Sequence, residues 1–528
     1  MRHHPVLLAF AAACSNVNGD TVVEGDLTWT TCPLQADGKG PPTQCATMQA
    51  PLWPDDPEGP TIELFAQRHL AGDDGDRVLW MLPGGPGQSG AVYESYVQDL
   101  DKALPNTDIY LFEHRGVGRS TRLGCPDEED PESDGGIDVT ENEWATCLDV
   151  VVAEWGDDLA AFSSTNAASD LALWIEATAA GRPTFVYGGS YGTTLGHRFL
   201  QLHADLADGV ILDSIAIDVD HRVYDIEMDA VGHDLLALCE SDERCGEELG
   251  PDPVRTARDA VAAVSASPCG TIDADTLRAG AGAFLADAKL RGFAPALFSR
   301  SLRCGEEDID DLERLVGLFE DRPTHYTEEL SSPVLFRNIE LSEQWPEPWP
   351  SLDELQAAHE AAAFSFGIGP ASRPLLDLWP RYPWDRSVDD ALAIVDTPLL
   401  LLQGELDPQT PPQRTDAVRE HFVGPGQHFI TFPEGAHVLL GSTPGKGGDC
   451  ATRLIAAFLD DPMARPDDSC VANVDPVDFT GQPLTSAILM GGCSRYGKGC
   501  DGGSASFLLV LPMAWRRRHR PGHHENRV

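Results

Sequence analysis

The chain predicts an α/β fold with a mostly parallel sheet, helices on both faces and an inserted helical cap. Three observations carry this. Between residues 76 and 217, apolar β-branched runs of strand length alternate with helix-like stretches. From about 219 to 390 strand signals nearly vanish and helical ones dominate. At 397–412 a fully apolar strand returns. A sheet interrupted by a run of helices and then resumed is a layered α/β core with an insertion. The boundaries read as 26–218 for the first part of the core, 219–390 for the cap and 391–475 for the rest of the core.

The start, MRHHPVLLAFAAAC, has a charged beginning, a short apolar centre and small residues before Cys14. Residues 1–14 read as an export signal, too short to be a membrane span. Ala12-Ala13-Cys14 resembles a bacterial lipobox, which would lipidate Cys14. Residues 26–70 read as strands and turns. DRVLWML (76–82) is a buried strand that runs into Pro83-Gly84-Gly85-Pro86-Gly87-Gln88-Ser89-Gly90. Glycines there let a backbone approach a ligand closely, which suits an oxyanion donor at Gly85. A phosphate-binding loop would need a lysine that is missing. TDIYLFE (107–113) is the next strand, and Arg115, Gly116 and Gly118 make a structural turn after it.

Residues 126–143, PDEEDPESDGGIDVTENE, are strongly acidic. Asp130, Glu132, Asp134, Asp138 and Glu141 match the offsets of a calcium loop. Glu stands where Asp or Asn is usual and no helix precedes the loop, so a solvated acidic loop is the better reading. Thr140 with Glu143 also makes a capping box.

TFVYGGSYGTTLG (184–196) places Gly188-Gly189-Ser190-Tyr191-Gly192 between a strand and a helix. Strand, sharp turn, serine and helix make a nucleophile elbow. Its flanking glycines avoid a clashing Cβ. The Tyr191 N–H opens the helix, where it can face an oxyanion. GVILDSIAI (209–217) is a further strand, and the cap follows. Within the cap, EQWPEPWPSL could line a pocket or fix a corner. Asp407 lies just past the strand Leu399–Leu402, and His437 follows the strand-like QHFITF. Ser190, Asp407 and His437, each after a strand and in that order, form the expected catalytic triad.

Composition narrows the partners. The chain has 528 residues and a formal net charge of −48, with pI near 4.4 and mean hydropathy −0.21. Nucleic acid is excluded as a partner, because phosphate binding needs a basic surface. Thirteen cysteines without a CxxC pair favour disulfides in an oxidising compartment over zinc. Proximity pairs Cys32 with Cys45, Cys125 with Cys147, Cys239 with Cys245, Cys269 with Cys304, and Cys450 with Cys470. Residues 490–528 hold a glycine-rich segment with Cys493, a short apolar run from Phe507 to Trp515 and a basic cluster from Arg516 to Arg520. The run is too short to cross a bilayer stably. It resembles a sorting tail of the MYXO-CTERM kind.

Taken together, PGGPGQSG, HRGVGRST, GGSYGT, GELDPQTPP and EGAH resemble the α/β-hydrolase-fold serine exopeptidases: the prolyl iminopeptidases and the secreted tripeptidyl aminopeptidases. The tripeptidyl branch is also suggested by W..C…C…APLWP, CESDERC and Cys450 with Cys470. The chain departs from that pattern at Glu113-His114 and at Ala50-Pro51-Leu52-Trp53. The resemblance implies an α/β-hydrolase fold and acyl transfer by Ser190, His437 and Asp407, with Gly85 and Tyr191 as oxyanion donors and no cofactor or metal. It also implies acidic cap residues on the substrate's α-amine, for which NIELSEQW offers Glu343 first and Glu340 second. The expected substrate is a peptide with a free N-terminus, handled by a monomer that is exported and attached to the envelope through Cys14, through the tail, or both. An esterase or lipase on the same triad stays open. Haloalkane- and epoxide-type hydrolases do not, since they need Asp at position 190.

Overall fold

A computed structural model describes residues 21–480, apart from 36–37, 73–74, 137 and 321–330. The export signal with Cys14 and the sorting-like tail at 490–528 lie outside the described residues.

The described strands form one ten-stranded sheet in the order β1-β2-β3-β4-β6-β5-β7-β8-β9-β10. They are β1 (Thr21–Glu24), β2 (Leu27–Pro33), β3 (Pro42–Pro51), β4 (Thr61–His69), β5 (Arg77–Leu82), β6 (Thr107–Glu113), β7 (Thr184–Gly189), β8 (Gly209–Asp213), β9 (Leu399–Gly404) and β10 (Gln427–Phe432). Pairing is antiparallel from β1 through β4 and on to β6, and parallel from there to β10. The continuous apolar runs of β5, β7, β8 and β9 follow from burial on both faces, as parallel central strands require.

Alternation along each strand sorts side chains onto two cores. Val78, Trp80, Leu82, Val186, Leu399 and Leu401 join one. Leu79, Met81, Phe185, Tyr187, Leu400 and Leu402 join the other. The insertion between β8 and β9 is helical and has a core of its own, built on Met228, Leu235, Phe284, Phe298 and Phe364. The Trp-Pro segment packs on the core at Trp345 and lines a pocket at Gln344. Trp345 is buried in the first core, and its Nε1–H donates to Glu340.

All five expected disulfides are formed. The acidic segment folds back on Glu143, which accepts from the N–H groups of Asp134 and Thr140. Among the described residues, no group of three or more His, Cys, Asp or Glu side chains is arranged to hold a metal ion. Nor is any described helix long and apolar enough to cross a membrane.

Candidate active site

The elbow sits at the carboxyl end of β7. Ser190 has φ 58° and ψ −128°, a conformation that non-glycine residues rarely adopt. The turn tolerates it because its neighbours are bare. A Cβ on Gly188 would lie 2.1 Å from the Gly192 carbonyl oxygen, and one on Gly192 would lie 2.4 Å from that of Leu82. The helix Tyr191–His203 begins immediately after the serine. The loop after β5 passes close by: a Cβ on Gly84 would stand 3.1 Å from that of Ser190. Gly85, Ser190 and Tyr191 line one small pocket of about 30 Å³.

Asp407 and His437 meet behind it. His437 Nδ1 lies 2.9 and 3.0 Å from the two Asp407 oxygens. A carboxylate only accepts, so Nδ1 carries a proton and donates it to Asp407. Asp407 is fully buried and also accepts from the N–H groups of Gln409 and Thr410 and from the Thr410 hydroxyl. Burial alone would raise its pKa, but His437 and the Thr410 donors outweigh burial and hold the carboxyl below its usual range.

Asp213, at the end of β8, joins the elbow to the histidine loop. Its main-chain oxygen accepts from Ser190 N at 3.0 Å. Its carboxylate accepts from Leu439 N and Leu440 N at 2.9 Å each, and from the Tyr187 hydroxyl at 2.8 Å. The next residue, Ser214, takes Val438 N on its hydroxyl. The three residues following His437 in the loop are thus tied to the end of β8 and the residue after it. Burial pushes the Asp213 carboxyl up to about 6, against the pull of these donors. In the sequence Asp213 ends an apolar strand, and nothing local marks it as a support for a loop more than two hundred residues away.

The two cap glutamates sit elsewhere than the amine-binding assignment requires. Both are buried, at 0% exposure for Glu340 and 5% for Glu343, and neither lines the pocket. Glu343 accepts from Ser164 N, the Ser164 hydroxyl and the Tyr382 hydroxyl. Ser164 Oγ in turn lies 2.7 Å from the Tyr191 hydroxyl. Burial raises the Glu343 carboxyl to about 7. Glu340 is held by Arg337, His221, Ser372 and Trp345. Burial would raise it, yet the Arg337 charge and the His221 bond bring it to about 2. An acid-rich stretch is visible in sequence, but whether its carboxylates point at a ligand or into the protein is not.

Arg115 confirms the structural turn: it pairs with buried Asp170 through two 2.7 Å contacts and also caps the Leu52 and Ala161 carbonyls. The departure at Glu113-His114 is accommodated locally. Glu113 receives Arg119, and the His114 ring packs 6.3 Å from that of Tyr191.

A family model described as alpha/beta hydrolase fold matches residues 77–236. The fold is that of the α/β-hydrolases. A second model, described as TAP-like protein, matches residues 377–470, which carry Asp407 and His437. No curated protein matches the chain. Among solved structures, a proline iminopeptidase from Mycobacterium smegmatis is 15% identical, with TM-score 0.38, over 79% of this chain and 98% of its own. An esterase from Thermogutta terrifontis is 16% identical, with TM-score 0.33, over 76% of this chain and 95% of its own. A monoacylglycerol lipase from Paleococcus ferrophilus is 14% identical, with TM-score 0.35, over 76% of this chain and 99% of its own. Their activities differ and select no substrate for this α/β-hydrolase fold.

Proposed function

We propose that the protein is an exported serine hydrolase that releases short N-terminal peptides from peptide substrates, with Ser190 as nucleophile. The observation that carries this is the buried Asp407–His437 pair, tied through Asp213 to a serine on a strained, glycine-flanked elbow. His437 Nε2 takes the Ser190 proton as Oγ attacks the carbonyl carbon. Asp407 keeps the ring oriented and stabilises its charged form. The N–H groups of Gly85 and Tyr191 receive the oxyanion, an effect commonly worth about 3 to 4 kcal/mol per donor. His437 then returns the proton to the leaving amine, the acyl-enzyme forms, and water releases the acyl group. The residues need no cofactor for this sequence.

The TAP-like match supports the peptidase side of the reading, as does the motif set of the sequence. The signal at 1–14 and Cys14 support export with attachment to the envelope, and the protein acts as a monomer in this reading. One observation favours an esterase instead: no carboxylate lines the pocket that holds Ser190. The deciding assay compares a free-amine tripeptide amide, its N-acetyl form, a proline amide and a short acyl ester, each with wild type and Ser190→Ala. The reading expects free-amine peptide cleavage that Ser190→Ala abolishes. Cleavage of the ester alone would move the protein to the esterases.

A further inference from the structure

Two buried side chains beside Ser190 have polar atoms with no partner among the described residues. Gln344 is 6% exposed and Gln409 is 5% exposed. Both line the same pocket as Ser190, Gly85 and Tyr191. Gln344 Oε1 and Gln409 Nε2 are buried without a hydrogen-bond partner among the described residues. Buried amide atoms are almost always paired in folded proteins, so two orphans in one pocket call for an explanation. One is an acceptor and the other a donor.

Their main chains are anchored. Gln344 follows the cap helix Pro333–Glu343, donates its N–H to the Glu340 carbonyl and accepts from His221 N. Gln409 donates its N–H to Asp407. One glutamine is thus carried by the cap and the other by the core loop of the proposed triad. The remaining wall is largely apolar, with Ala216, Val219, Tyr224, Phe336 and Ile368. Its imidazole, His221, is turned by Nδ1 toward Glu340. An ammonium in this pocket would lose its hydration with no carboxylate in the wall to replace it. A peptide unit, with one N–H and one carbonyl, is the neutral partner that such a pair matches.

We propose that Gln344 and Gln409 are the backbone clamp of the acyl site: Gln344 Oε1 accepts the N–H of the residue whose carbonyl Ser190 attacks, and Gln409 Nε2 donates to a carbonyl of the same peptide. The clamp rests on the peptidase reading and sharpens it. The clamped N–H is an amide, so another residue must precede it. Each scission therefore releases at least two residues, and the free α-amine lies beyond this pocket.

The test uses kcat/KM for four substrates with the purified full chain. They are a tripeptide anilide with an apolar third residue, its depsipeptide analogue with an ester oxygen in place of that residue's N–H, a single aminoacyl anilide, and a short acyl nitrophenyl ester. Wild type is expected to prefer the tripeptide over the depsipeptide by about tenfold, the usual scale for one hydrogen bond in a closed site. Gln344→Met should erase that preference, lowering kcat/KM for the tripeptide without lowering it for the depsipeptide. Gln409→Met should lower kcat/KM for both long substrates by more than it lowers that for the short ester, whose remaining rate also reports a folded site. Equal loss of tripeptide and depsipeptide in Gln344→Met would overturn the clamp while leaving the peptidase reading intact. So would a wild type that cleaves the single-residue anilide as well as the tripeptide, or that does not distinguish the depsipeptide, and neither of these needs a variant. Hydrolysis of the short ester with no peptide cleaved would overturn the peptidase reading and the clamp together.

Discussion

Asp213 shows how a side chain without a chemical role can govern one that has it. Its two oxygens hold the N–H groups of Leu439 and Leu440, and its carbonyl holds Ser190 N. Asparagine at this position would turn an amide NH₂ toward one of those N–H groups. Asp213→Asn should therefore lower kcat about tenfold or more with little change in KM, since the loss falls on ring placement and not on binding. Steady-state kinetics on a correctly folded variant checks this. Glu343 gives a second prediction. Its pKa in the fold, about 7, stands above the ordinary carboxyl value of 4.5. The folded state thus holds the proton more tightly than the unfolded state. The stability linked to that proton is full below about pH 4.5 and is lost as pH rises through about 7. At about 1.4 kcal/mol per pKa unit, the difference is of order 3 kcal/mol. Glu343→Gln mimics the protonated form and should flatten the fall in stability between those pH values, measured by denaturant unfolding across pH. A variant with the wild-type pH profile would contradict the assignment. At this scale the Asp407–His437 pair and the serine elbow were legible because each of these residues follows a strand in a recognisable segment. Asp213, Gln344 and Gln409 were not, because their importance arises from neighbours distant in the chain.

At the scale of elements, the elbow depends on the clearance between the end of β7 and the first turn of the next helix. Gly188→Ala would put a methyl carbon 2.1 Å from the Gly192 carbonyl oxygen, so one backbone has to move. The predicted outcome is loss of activity with the far-ultraviolet circular dichroism largely retained; a fully active variant would contradict the close approach. The helix Pro333–Glu343 is the corresponding element of the cap. Its start is set by Ser332, whose hydroxyl accepts from Leu335 N, and by Pro333 in the first turn. Ser332 N donates to the Gly87 carbonyl, which pins this helix to the glycine-rich loop beside Ser190. Strand and helix periods made the alternation readable, and the parallel order followed from it. The burial of Glu340 and Glu343 was not readable, because a helical run shows its pattern but not which wall each face meets.

At the scale of the whole molecule, most of the cap packs on a core of its own, while its helix Pro333–Glu343 packs into the first core and is tied there by polar links such as Ser332 with Gly87 and Glu343 with Ser164. The cap contributes Phe336, Gln344 and Ile368 to the wall of the pocket that holds Ser190. Cystines stiffen both layers. The Cys269–Cys304 bridge spans 35 residues within the cap. Chain-entropy reasoning assigns such a loop about 3 to 4 kcal/mol. The Cys269→Ser/Cys304→Ser double variant should unfold several degrees lower in a thermal scan, and an unchanged midpoint would remove the bridge from the account. The pairings were legible because each partner lay nearby in sequence. The volume of the pocket was not, since it depends on how two cores meet.

The most direct test of the central claim is an intact-mass and peptide-mapping measurement after exposure to a fluorophosphonate, which phosphonylates an activated serine. The account predicts one adduct per chain, located on Ser190 and lost in His437→Asn. An adduct on another serine, or a folded protein that takes none, would contradict it.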